Sequence, residues 1–190
     1  NEFYKLQISP SGELLTLEDK TSKKSLPIRL LFEDGADGGD EYDYSSIEKD
    51  EIISSLDFSP TVSWLYNNSY LQRVKISYEL KVPYSITPER KERSKKRVVL
   101  PIEVEISLSQ GVKRIDLDIR VNNTALDHRF RVIFEFPIKA SSSLADAHFA
   151  VLERKIDSEK TFPQNDFVLV QDGASALAIL NQGLREYQTT

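Results

Sequence analysis

The chain has 190 residues, a net charge of −5, and neither cysteine nor methionine. A chain of this length buries roughly 70% of the surface it would expose unfolded, so one domain can hold a core without a disulfide or a metal. The charge argues against general nucleic-acid binding, and the lack of cysteine removes thiol chemistry and zinc–thiolate sites. No apolar run approaches the ~18 residues of a membrane span, and no signal peptide is visible. The cysteine-free composition points to a reducing, cytoplasmic setting. Asn1 stands where a natural chain has methionine, so the sequence reads as a fragment of a longer one.

Short apolar runs at 3–8, 14–18 and 28–32 read as strands, with Gly12 supplying a turn. Residues 32–45 follow as an acidic, glycine-rich loop. Glu33, Asp34, Asp37, Asp40, Glu41 and Asp43 crowd into eleven positions beside three glycines and no base. Residues 47–56 suggest one short helical turn. The strongest signal comes next, with period two. Val74 to Val82, Val98 to Leu108, Ile115 to Val121 and Phe130 to Ile138 alternate apolar with polar residues, predicting four long strands in series. Such a series forms an antiparallel meander most simply, packed on a second sheet built from shorter strands at both ends of the chain. The candidates at the far end are 147–155, 167–170 and 176–181, with turns at Asp172-Gly173 and Gln182-Gly183. The expectation is an all-β, antiparallel two-sheet sandwich forming a single domain over 1–190.

Several clusters invite a chemical reading. The acidic loop fits a solvated turn, a calcium site, or contact with a sugar or a neighbouring domain. Its carboxylates do not follow the alternating EF-hand spacing, and Tyr42 and Tyr44 suit a sugar face. The run 90–97 holds six bases in eight residues and reads as a solvated hairpin tip, or as a docking patch for an acidic partner. His128 sits in Asp127-His128-Arg129 at a turn. His148 would share a strand face with Asp146, where a hydrogen-bonded pair is the simple reading. No serine elbow, His-Glu-x-x-His or phosphate-cradling loop is present, so the residues alone suggest no catalytic machinery, and neither histidine shows the three converging ligands of a metal site.

Taken in order, several segments resemble the C-terminal β region of glycoside hydrolase family 38 α-mannosidases, closest to the bacterial branch. They are Asn1-x-x-Tyr4, Gly12-x-Leu14, Phe32-Glu33-Asp34, Gly39-Asp40-Glu41-Tyr42-Asp43-Tyr44-Ser45, Asp127-His128-Arg129-x-Arg131-Val132, Phe149-x-x-x-x-Arg154, Phe162-Pro163-Gln164, Asp172-Gly173, and 177–187. The resemblance implies a sandwich of the galactose-mutarotase-like type. It also implies a parent enzyme that is a retaining, zinc-dependent exo-mannosidase, whose zinc ligands and nucleophile lie in an N-terminal barrel followed by a helical domain. This chain would then be inactive alone. It would pack on the barrel and lend Asp40, Tyr42, His128, Arg129 and Arg154 to the rim of a cleft for a mannose-containing glycan or mannoside. The family tends to have proline where Ser46 and Arg185 stand, which bears on loop shape. The competing readings are a self-contained carbohydrate- or calcium-binding module and a purely structural interaction domain.

Overall fold

The computed structural model describes residues 1–40, 42–157 and 160–190. Antiparallel strands make up nearly all of its regular structure, as the alternation predicts, and they divide into two compact units, Asn1–Phe136 and Pro137–Thr190.

The first unit is a two-sheet sandwich. One sheet runs β1 (Tyr4–Ile8), β2 (Leu14–Asp19), β3 (Lys24–Ala36), with the short β4 (Ile53–Ser54) pairing the end of β3 and β9 (His128–Glu135) pairing its other edge. The other sheet is a meander of β5 (Thr61–Asn67), β6 (Leu71–Pro83), β7 (Arg97–Ser109) and β8 (Asp116–Val121). Inward residues Leu30 and Phe32 of β3 meet the apolar stripes Ile76, Tyr78, Leu80 of β6 and Leu100, Ile102, Val104 of β7, all buried. Phe32 joins the sheets through Tyr78, edge-on at 5.6 Å, and stacks on Phe130 of β9 at 5.8 Å. Each of these buried side chains contributes on the order of 1.5–3 kcal/mol, an upper bound.

Three sequence expectations change. The fourth long strand does not extend the meander. After β8 the chain turns through Asp127, at φ 48°, and β9 crosses to the opposite sheet. The thirteen-residue β3 offers a long unfilled edge there, and the apolar side chain of Phe130 closes over Phe32. The loop expected to begin at Phe32 starts five residues later, at Asp37, because Phe32 to Ala36 continue β3. The short helical turn is a 3-10 turn at Ser55–Asp57, and Ile53–Ser54 ahead of it is strand.

Two motif positions at the start of the chain are architectural. Asn1 donates from Nδ2 to the carbonyls of Ser109 (2.8 Å) and Val112 (2.9 Å), while its Oδ1 accepts from Tyr4 N–H at 2.8 Å. Gly12 turns at φ 76°, and a Cβ there would stand 2.8 Å from Ile76 Cγ2.

The C-terminal strands do not complete the first unit's second sheet. They form one of their own, ordered β11 (Ala150–Lys155), β10 (Ser142–Ala147), β13 (Phe167–Gln171), β14 (Ala176–Leu180). A pair, β12 (Phe162–Pro163) with β15 (Glu186–Tyr187), accompanies it. The single strand expected over 147–155 is the last residue of one hairpin arm and the whole of the other, reversing at His148-Phe149. Buried Gln164 exchanges carboxamide hydrogen bonds with Asn181 (3.1 and 3.0 Å) and donates to Leu184 O at 2.6 Å, which ties the Phe-Pro-Gln segment to the last motif.

Candidate functional site

The site is built at the end of β3. Ile28, Leu30, Phe32, Asp34 and Ala36 alternate onto the buried face, so a carboxylate occupies a core position. A buried charge is costly unless paired. Asp34 is paired twice. Its Oδ2 accepts from Arg93 Nη2 at 2.5 Å, and its Oδ1 contacts His128 Nδ1. Arg93 Nη1 also donates to the carbonyls of Asp34 (3.1 Å) and Glu51 (3.0 Å). His128 pairs opposite Ala36 across the strands, which brings its ring diagonally to Asp34 on the same face. The other ring nitrogen, Nε2, lies 3.0 Å from Asn123 Oδ1.

Beyond Ala36 the acidic loop closes on itself. Ala36 N–H donates to the Asp50 carboxylate at 3.0 Å. Asp37 Oδ1 accepts from Gly39 N (2.8 Å) and Ser45 N (3.1 Å). Asp40 Oδ1 accepts from Tyr42 N (2.9 Å) and Asp43 N (3.0 Å). These backbone donors, with Arg90 nearby, hold the Asp40 carboxyl below the usual carboxylate range, so it stays ionised as an acceptor. Gly39 has no room for a side chain, since a Cβ would stand 1.8 Å from Asp43 O. Glu41 lies outside the described residues.

The basic run is the loop's partner within the same chain. Arg90 straps the turn by donating from Nη2 to the carbonyls of Gly38 (2.6 Å) and Gly39 (2.5 Å). Arg93 is buried on Asp34, and Arg97 grips Glu51 at 2.6 Å. The expectation of a solvated tip holds for most of the run, with Arg90 and Arg97 exposed while they reach these partners, and fails for Arg93, which is buried. The acidic surface that attracts them is the neighbouring loop. Between the two loops opens a cleft of about 750 Å³, lined by Asp37, Gly38, Gly39, Asp40, Arg90, Asp127 and His128.

Asp40 and His128 thus both line this cleft. Tyr42 follows Asp40 with its ring 85% exposed, and Arg129, on the opposite face of β9 from His128, lies 4.4 Å over the Tyr44 ring. Arg154 belongs to the second unit. It donates to Pro163 O (3.0 Å) and the Tyr187 hydroxyl (3.3 Å) and lies over the Phe162 ring at 5.3 Å, contacts that brace the β12–β15 pair. The expected Asp146–His148 pairing gives way to backbone capture, because the hairpin reverses at His148. Asp146 accepts from the amides of Asn165 (3.1 Å), Asp166 (2.9 Å) and Phe167 (3.0 Å). Burial pushes its carboxyl up, but those three amides outweigh it and hold it low.

Arg90, Arg93, Asp37 and Asn123 escaped the sequence reading as site residues. Asp34 carried a usable signal, a carboxylate in the apolar phase of a strand pattern. The cleft offers hydrogen-bond acceptors and donors suited to a polyhydroxylated ligand. Its Asp37 and Asp40 oxygens order backbone turns, so they position the loop and are not poised to move protons. Among the described residues no group of three or more histidine or carboxylate side chains is arranged to hold a metal ion. No helix is long and apolar enough to cross a membrane, among the described residues.

Over residues 1–190 the chain matches the model of a family described as Glycosyl hydrolases family 38 C-terminal domain. A protein of Halalkalibacterium halodurans named "Putative mannosylglycerate hydrolase" is 27% identical over 209 residues, which cover 99% of this chain and 23% of that protein. Two solved structures from Enterococcus faecalis, one an alpha-mannosidase and one a glycosyl hydrolase family 38 protein, are each 24% identical and superpose with TM-scores of 0.90 and 0.91. They cover 99% of this chain and 24% of theirs, and at that identity the likeness shows the fold. The chain spans about a quarter of the length of the relatives it matches.

Proposed function

The chain belongs to the C-terminal domain family of glycoside hydrolase family 38, and from that premise we propose that it serves as the non-catalytic β domain of an α-mannosidase-type enzyme acting on terminal α-mannosides. It packs on the catalytic barrel and helical domain of the same polypeptide. Its polar cleft forms part of the rim around the substrate sugar. Asp40 accepts from sugar hydroxyls, Arg129 supplies a polar contact, and Tyr42 covers a sugar face while its hydroxyl hydrogen-bonds, with His128, whose ring nitrogens face Asp34 and Asn123, backing the cleft. Zinc and the nucleophile of the retaining reaction belong to the barrel, and the domain alone is inactive. The name of the Halalkalibacterium relative extends the substrate class to small mannosides such as mannosylglycerate. The cysteine-free composition favours a cytoplasmic enzyme.

The observation that supports this reading is a polar cleft lined by both Asp40 and His128, with the exposed Tyr42 two residues on from Asp40. The test is kinetic, in the complete enzyme. Tyr42→Phe and Arg129→Ala should each lower kcat/KM on a mannoside by about 3–10-fold, the loss of one hydrogen bond, while thermal stability falls little. Unchanged kinetics in both variants would sink the rim role. The bare Tyr42 ring also supports a second reading, in which the domain binds glycan by itself. Saturable calorimetric titration of the 190-residue chain with mannose oligosaccharides would favour it.

A further inference from the structure

One edge of the first unit is bare. All seven residues of β5 are exposed, among them Trp64 at 61%, Tyr66 at 51% and Leu65 at 42%. Side chains alternate between faces along a strand, so β5 is uncovered on both. It is also the outer strand of its sheet, paired with β6 alone among the described residues. Soluble proteins guard such edges with lysine, proline or short length, and Thr61–Asn67 has no charge, no proline and seven residues. Trp64 further walls a cleft of about 330 Å³ whose apolar lining is Leu6, Val74, Ile106 and Leu108, with Lys5 and Lys20 also lining it. Tyr70, 75% exposed, carries the aromatic patch past the end of the strand.

We infer that β5, with Tyr70 and the cleft behind Trp64, is the surface on which the remainder of the enzyme's polypeptide docks, through apolar and aromatic contact. This rests on the reading of the chain as one domain of a larger glycoside hydrolase. Length and chemistry select the occupant. Roughly three-quarters of each relative lies outside the matched segment. A strand without charge is complementary to an apolar, uncharged surface, as the centres of protein interfaces are. A second copy of the chain fits less well, because the bulge between Trp64 and Tyr66 breaks the regular ladder that two-fold edge pairing needs.

The test is hydroxyl-radical footprinting of the complete native enzyme, with modification rates at Trp64 and Tyr66 compared with those of the same protein unfolded in urea. Docking predicts protection of about tenfold or more at both residues, since ring atoms at an interface centre are dry. Exposures of 61% and 51% left as they stand predict a reduction of no more than about twofold, and that result would overturn the inference. Protection that vanishes on roughly hundredfold dilution would assign the surface to a second copy and overturn it equally. The footprint reads coverage, not turnover. Its failure leaves the sugar-rim reading standing, and silent kinetics leave the docking surface standing.

Discussion

Arg93 holds Asp34 through a 2.5 Å contact between side chains that are only 2% and 0% exposed, so the acidic and basic loops are joined at a point from which water is excluded. Removing one partner of a buried pair strands the other charge, a loss of about 3–5 kcal/mol. Arg93→Ala should therefore lower the unfolding free energy of the domain by about that amount. The pair Arg97–Glu51, with side chains 38% and 52% exposed, is the control, and Arg97→Ala should cost about 0–1 kcal/mol. Urea denaturation of both variants decides the matter. Equal costs would show that the grip on Asp34 does not organise the loops.

Gly39 and Gly111 separate two reasons for glycine. At Gly39 a Cβ would stand 1.8 Å from the Asp43 carbonyl oxygen, a backbone atom that cannot rotate away. At Gly111 nothing lies within 4 Å, and the constraint is a φ of 76°. Gly111→Ala should cost about 1–2 kcal/mol of backbone strain and leave the cleft intact. Gly39→Ala should force the 37–45 turn open and displace Asp40 and Tyr42. Amide NMR shifts at Tyr42, Asp43 and Ser45 read the difference, and undisturbed shifts in Gly39→Ala would refute it.

In the second unit the buried Gln164–Asn181 carboxamide pair fastens the β12–β15 segment to the end of β14. Gln164→Leu keeps the volume roughly constant but leaves Leu184 O and Asn181 without their partner, a cost of about 1–3 kcal/mol. Faster hydrogen exchange at Tyr187 and Asn181 is the expected signature. Unaltered exchange there would make the pair incidental.

The strands were legible because their alternation is long and clean. Val74 to Val82 and Val98 to Leu108 lie side by side in the register that a meander requires. Sheet assignment was not legible for β9, because period two shows that Phe130 and Val132 share a face but not which edge receives them. β5 escaped for a different reason. Val62, Trp64 and Tyr66 alternate, but the pattern is short, Leu65 interrupts it at the bulge, and every residue is exposed, so no buried stripe marks the strand. At the site, the acidic loop and the basic run were each visible as charge clusters. What hid their pairing was distance in sequence, since Arg93 and Asp34 stand 59 residues apart and no local pattern links them.

Asp40 supplies the pH dependence. The amides of Tyr42 and Asp43 lower its pKa below the ordinary 3.8, with Arg90 adding to the effect. A depressed folded-state pKa means that ionised Asp40 favours the folded loop. The contribution is whole above 3.8 and shrinks as pH falls from there through the lower, folded-state value. Asp19 and Asp172, also held low chiefly by backbone amides, act in the same direction. Stability should therefore decline on acidification below the ordinary carboxylate range. Asp40→Asn should reduce the decline, since an amide oxygen still accepts from both N–H groups but does not titrate. Carboxyl carbon NMR of Asp40 gives the direct check, with an expected midpoint below 3.8. A midpoint at or above that value would mean that the turn around Asp40 is not held by its charge.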